Sequence, residues 1–157
     1  MNDSIDAPQI AEAEPQLVAM LHITVKRSEI REVMGPGIGE VMAALAAQGI
    51  APIGPWFTHH LKRPSDIFDF DVCVPTATPV AAVGRVRPEQ LPAVKVARTI
   101  YRGPYEGLAA AWGELLKWIT AEGLTPASDL FERYIIDPKS NPDPASWRTE
   151  LSRPLVV

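Results

Sequence analysis

A repeated order of elements constrains this chain more than any other feature. From Gly35 the sequence runs Gly-Pro, an apolar helical stretch, the turn Gln48-Gly49-Ile50-Ala51-Pro52, then two strand-like runs ending at Pro75. From Gly103 the same order returns, through Glu122-Gly123-Leu124-Thr125-Pro126 and two further strand-like runs to Pro154. A chain built this way folds as two related modules, each burying the apolar stripe of a helix on one face of a sheet. The copies diverge at one place above all. Trp56-Phe57-Thr58-His59-His60 in the first stands where the second has Leu130-Phe131-Glu132-Arg133-Tyr134, so a carboxylate occurs in one copy only.

Hydrophobic periodicity fills in the modules. Leu17, Ala19, Leu21, Ile23 and Val25 form one face of a predicted strand with Met20, His22 and Thr24 on the other, and Val94, Val96 and Ile100 alternate with Lys95, Ala97, Thr99 and Tyr101 in the second copy. Ile38, Val41, Met42 and Leu45 fall at helical spacing, with Gly49 where a helix C-terminus wants it. Leu108, Trp112, Leu115 and Ile119 line one face of a second helix after Pro104. Strands are expected over 53–60, 67–74, 130–136 and 147–155, with Pro64-Ser65-Asp66 turning between the first two of these. The fold class is α+β, a tandem pseudo-two-fold β-α-β-β repeat of antiparallel sheets with one helix per repeat and a ligand groove between the halves.

With 157 residues, 46% hydrophobic and 22% charged, the chain is ordinary globular material for one domain. Residues 1–16 are polar and acidic without an apolar period, and are expected to form a disordered or loosely ordered tail. The domain then spans 17–157, with repeats at about 17–79 and 88–157 joined by a connection around 80–89 in which Pro88 opens a turn. A formal charge of -4 argues against a surface that tracks nucleic acid. The lone Cys73 cannot make an internal disulfide and reads as an inert buried thiol. No signal peptide and no apolar run of about 20 residues is present, so the expected location is cytoplasmic and off the membrane.

Glu132 is the candidate chemical group. In the second copy Phe131, Arg133 and Ile135 alternate with Leu130, Glu132, Tyr134 and Ile136. Assigning Phe131 and Ile135 to the helix side places Glu132 and Tyr134 on the opposite, groove side, and the repeat transfers that facing to Trp56, Thr58 and His60. Asp71 and Glu150 stand at corresponding places on the neighbouring strands and are expected to add negative potential. An aromatic, acidic groove selects flat, apolar cations through charge and ring stacking. The competing reading makes Glu132 a solvated salt bridge to Arg133 or Arg148.

Other features carry plainer readings. Gly35-Pro36-Gly37-Ile38-Gly39 lacks the Lys-Ser/Thr of a phosphate loop and reads as a turn and helix start. His59 and His60 are adjacent on a strand and face opposite ways, so no metal site is expected, and no cofactor. Trp112 reads as core packing, His22 as an ordinary polar position, and alternation leaves Trp147 open between core and groove.

The stretch Gly103-Pro104-Tyr105, the tryptophan-bearing helix after it, Phe131-Glu132-Arg133-Tyr134-Ile135-Ile136-Asp137-Pro138 and Thr149-Glu150-Leu151 up to Pro154 together resemble the GyrI-like family. That family comprises effector-binding domains of AraC-type and MerR-type regulators and stand-alone proteins. The resemblance covers roughly residues 17–157. It implies multidrug-type binding of lipophilic, cationic aromatic compounds, with Glu132 neutralising the charge; the facing read above adds Trp56 and Tyr134 as stacking walls, and Tyr101 is a further candidate ligand-binding residue. Two alternatives come with it. One is a hydrolase that opens strained, cyclopropane-bearing toxins with Glu132 as its acid or base, assisted by Tyr134 or Tyr101. The other is an interaction protein with DNA gyrase as partner. No helix-turn-helix precedes the first strand, so a two-part DNA-binding regulator is not expected.

Overall fold

The computed structural model describes residues 5–61, 66–138 and 140–156; Pro64 and Ser65 of the expected turn lie outside them. The chain forms two compact units. One is Glu14–Ala93. The other joins the residues up to Ala13 to those from Val94 onward.

In the Glu14–Ala93 unit, β2 (Gln16–Lys26) leads into helix α1 (Ile30–Ala47), followed by β3 (Phe57–His60), β4 (Ile67–Pro75) and β5 (Arg87–Leu91). Antiparallel pairing gives the order β5-β2-β4-β3. Ala19, Leu21 and Ile23 of β2 and Phe70, Val72 and Val74 of β4 form one face, and α1 closes over it with Val41, Ala44 and Leu45. The other unit repeats the plan with β6 (Val94–Arg102), α2 (Leu108–Ala121), β8 (Leu130–Ile136) and β9 (Arg148–Val156). β9 is paired between β6 and β8, and β7 (Thr125–Pro126) pairs with the end of β9. Trp112, Leu115 and Ile119 of α2 pack on Ala97, Tyr101, Leu130, Leu151 and Leu155.

Both helices end alike. Gly49 (φ 67°) and Gly123 (φ 74°) take the left-handed conformation that favours glycine. The next amides, of Ile50 and Leu124, reach back to Leu45 and Ile119 at 3.0 and 3.1 Å. This closure satisfies carbonyls that a helix end otherwise leaves open. It is the part of the repeat the sequence states most clearly.

The starts differ. α1 begins at Ile30, so Gly35-Pro36 sits inside the helix rather than opening it as expected. A proline inside a helix removes one backbone bond and crowds the preceding turn. Here Ile30, Val33, Met34 and Ile38 all pack against the core on either side of it, and that burial overrides the local preference. In the second copy Gly103-Pro104 precedes α2 as expected.

Two further expectations are corrected. The N-terminal stretch, expected as a loose tail, contains β1 (Gln9–Ala13), which pairs with β6 from Gln9↔Arg98 to Ala13↔Val94. Its residues are largely exposed and backbone bonding holds it, so hydrophobic periodicity gives no sign of it. The 80–89 connection, expected between repeats, runs into β5, which pairs with β2 and belongs to the first copy. Pro88 is tolerated because β5 lies at the edge of that unit's strand order, where a missing amide costs no ladder bond.

Candidate functional site

β8 brings the acidic residue to the helix. Leu130, Glu132 and Tyr134 are buried on the face that packs against α2, while Ile135 is 45% exposed. This reverses the expected facing. Both residue sets of β8 carry large apolar side chains, so alternation alone does not choose between them. The same holds in the first copy, where His60 stacks on the core residue Phe70 at 5.0 Å.

Glu132 is only 7% exposed and is held at both oxygens. The Trp112 indole N–H donates to Oε2 at 2.7 Å. The Tyr134 hydroxyl donates to Oε1 at 2.6 Å. The second bond follows from strand geometry, because residues two apart share a face. The first follows from the helix, because a buried indole needs an acceptor for its N–H. Trp112 was read from sequence as packing alone. Its position on the apolar stripe is legible, but its partner on β8, 20 residues on, is not.

Two more rings complete the surroundings. Tyr105, partly buried, meets Tyr134 edge-on at 5.9 Å and 75° and lies against Trp147 at 4.8 Å and 34°. Trp147 donates its indole N–H to the Asn141 carbonyl at 2.8 Å, which settles the orientation that alternation left open. Burial, then the negative charges of Asp137 and Glu132, push the Tyr105 hydroxyl up to about 12. It therefore stays neutral at ordinary pH.

The 103–107 turn carries Tyr105, and Tyr101 pins it. The Tyr101 side chain is buried in the α2 core, and its hydroxyl donates to the Pro104 carbonyl at 2.5 Å. The Gly103 amide donates to the Trp147 carbonyl at 3.1 Å, tying the turn to the start of β9. A Cβ on Gly107 would stand 2.0 Å from the Tyr101 hydroxyl, so only glycine fits there. Tyr101 thus shares the sheet face of Glu132 and Tyr134, but its hydroxyl holds the turn.

The remaining expected residues lie elsewhere. Glu150 is on the sheet face away from α2, 3.5 Å from Arg133 and 3.7 Å from Arg98. Asp71 belongs to the Glu14–Ala93 unit, on the face away from α1, and contacts His22 Nδ1 at 2.8 Å and Arg87 at 3.8 Å. The other ring nitrogen of His22 is 2.8 Å from Asp69. Trp56 packs against the α1 core of that unit. The same unit has an open depression of about 800 Å³ lined by Lys26, Arg27, Ser28, Ile30, Arg31, Asp66 and Ile67. Three cations and no aromatic ring make it a poor seat for an aromatic cation. Among the described residues no helix is long and apolar enough to cross a membrane, and no group of three His, Cys, Asp or Glu side chains is placed to hold a metal.

The fold has well-matched counterparts. The EcmrR C-terminal domain superimposes with a TM-score of 0.86 at 22% identity, covering 96% of this chain and 97% of that one. In the EcmrR–DNA complex of a cryo-EM structure the match has the same score and identity, but this chain spans only 57% of the full EcmrR chain. SAV2435, solved bound to tetraphenylphosphonium, matches with a TM-score of 0.69 at 14% identity, covering 96% of this chain and 94% of that one. No curated protein matches the chain in sequence. The GyrI-like small molecule binding domain model, in contrast, matches residues 6–156, nearly the whole length. With two β-α-β-β copies and this span of agreement, the chain belongs to the GyrI-like small-molecule-binding domain family.

Proposed function

We propose that this domain binds lipophilic, cationic aromatic compounds at Glu132, in the cytoplasm, as a drug- or toxin-binding protein. The observation that carries the reading is a buried carboxylate held by Trp112 and Tyr134, with the Tyr105 ring against Tyr134 and the Trp147 ring against Tyr105. Each well-placed ring contributes about 0.5 to 2 kcal/mol to a desolvated cation. The carboxylate adds charge complementarity that a neutral ligand of the same shape cannot use. The tetraphenylphosphonium held by SAV2435 is a compound of the proposed class and supports the choice.

The site is closed as it stands, with Glu132 and Tyr134 both under a tenth exposed. A ligand enters by displacing the partly buried Tyr105–Trp147 pair, whose rings then wall the ligand instead of each other. Both oxygens of Glu132 already accept strong bonds, which suits a charge partner better than a base poised on water.

Titration with tetraphenylphosphonium and with neutral triphenylphosphine oxide tests this. Glu132→Gln is expected to weaken the cation about 10-fold or more and to leave the neutral compound within about twofold. Equal losses for both would remove the charge role. Recovery of the bound compound unchanged by mass spectrometry distinguishes holding from hydrolysis.

A further inference from the structure

Thr149 of β9 is fully buried, and its hydroxyl has no hydrogen-bond partner among the described residues. Its place in the sheet is well defined. Thr149 pairs with Tyr134 of β8 on one side and with Tyr101 of β6 on the other, so a Thr hydroxyl stands in a row between two tyrosines. Neither neighbour donates its hydroxyl to Thr149. Tyr134 donates to Glu132, and Tyr101 donates to the Pro104 carbonyl.

Thr149 also shares the face of Glu132. Leu151, two residues on, pairs directly with Glu132 and packs in the α2 core, so Thr149 is the diagonal cross-strand neighbour of the carboxylate. Diagonal neighbours on one sheet face stand roughly 7 Å apart. A buried hydroxyl left without a partner is unfavourable, and a valine would fill the same volume without that cost. The hydroxyl is thus a polar feature that the closed state does not use.

We propose that Thr149 is a specificity-determining residue of the Glu132 site, and that the ligand class is an aromatic cation carrying a hydrogen-bonding group about 7 Å from its charge. The cation lies at Glu132 and the polar group meets the Thr149 hydroxyl, which either donates or accepts. This rests on the ligand-binding reading above and adds a second recognition point to it. A cation without such a group leaves Thr149 as stranded as it is in the closed state.

A matched pair of probes reads this out: tetraphenylphosphonium, and para-hydroxyphenyl-triphenylphosphonium, which differs by one hydroxyl on a ring edge. The wild-type protein is expected to prefer the hydroxylated probe about fivefold or more, the worth of one added hydrogen bond. Thr149→Val is expected to bring that ratio close to one while tetraphenylphosphonium binding and the melting temperature of the free protein hold or rise. Thr149→Ser, which keeps the hydroxyl, is expected to retain the preference. An unchanged preference in Thr149→Val, or no preference in the wild type while both probes bind, overturns the role of Thr149 and leaves the Glu132 reading standing. A lower melting temperature in Thr149→Val with no change in the ratio assigns the hydroxyl a structural partner and also overturns it. If neither probe binds the wild type, the Glu132 reading fails and this one with it.

Discussion

The two copies use the same strand positions for different ends. In the first, the Thr58 hydroxyl and His60 Nε2 meet at 3.0 Å, and the imidazole lies flat on Phe70. In the second, Glu132 and Tyr134 make the same two-apart contact along the strand. Counting back equally from Gly49 and Gly123, the helix position that supplies the Trp112 indole in α2 is Ile38 in α1. One copy therefore keeps its sheet–helix interface apolar and weakly polar, and the other builds a carboxylate with two donors into it. A buried acid is tolerable only where donors are supplied with it, so the helix and the strand had to change together.

The largest test of that contrast puts the acid where no donors were built for it. Thr58→Glu, at a site 1% exposed, is expected to cost about 3 kcal/mol or more in urea denaturation, because the first copy has Ile38 in place of an indole. A variant as stable as the parent would mean that the two interfaces are interchangeable.

Glycine substitutions compare the start of α2 with the interior of α1. Gly107→Ala forces a methyl into the Tyr101 hydroxyl and is expected to cost about 2 to 3 kcal/mol. Gly37→Ala meets the flexible ends of Ile23 at 3.0 Å and Leu21 at 3.9 Å and gains helix propensity, so its stability should change by less than about 1 kcal/mol. Parallel denaturation curves decide whether the second copy is the more tightly constrained.

Removing one donor probes the interface more gently. Trp112→Phe keeps the ring but leaves Glu132 Oε2 without the indole, and is expected to cost about 1 to 2 kcal/mol. Ile38→Val, its counterpart, should cost about 1 kcal/mol or less.

The smallest effect is a pH dependence confined to the second copy. Tyr105 has a folded pKa of about 12, above the ordinary tyrosine value near 10. Below the ordinary value both folded and unfolded states hold the proton, and stability does not vary with pH through this group. As pH rises from 10 towards 12 the unfolded chain loses that proton first, so stability falls. Melting temperatures at rising alkaline pH should decline less steeply in Tyr105→Phe than in the parent, and identical slopes would take Tyr105 out of the buried cluster.

Much of this was legible in sequence, and the failures are physical. β8 was placed residue for residue because its apolar run is bounded by turn signals, and Glu132 and Tyr134 were paired because they share a strand face. The face itself was misassigned, since Phe131 and Ile135 are as apolar as Leu130 and Tyr134, and only the packing of α2 breaks that tie. Tyr105 meets Tyr134, and Trp147 meets Tyr105, contacts that strand alternation does not reveal. Tyr105 and Trp147 arrive through the 103–107 turn and the start of β9, and no periodicity links them. Pro36 misled the placement of α1 because proline commonly opens helices, and the residues that overrule it, such as Ile30 and Val33, act only through tertiary contact.

The pairing of β1 with β6 means the module bearing Glu132 is not one continuous piece of chain. It is sewn from both ends of the polypeptide, with its sibling spliced into the middle. A fragment cut at Val94 would keep Tyr105, Trp112, Tyr134 and Trp147, yet would leave the outer amides and carbonyls of β6 bare, an invitation to intermolecular strand pairing. Dissection of this protein is thus better served by joining its termini and reopening the chain near Ala93 than by simple truncation.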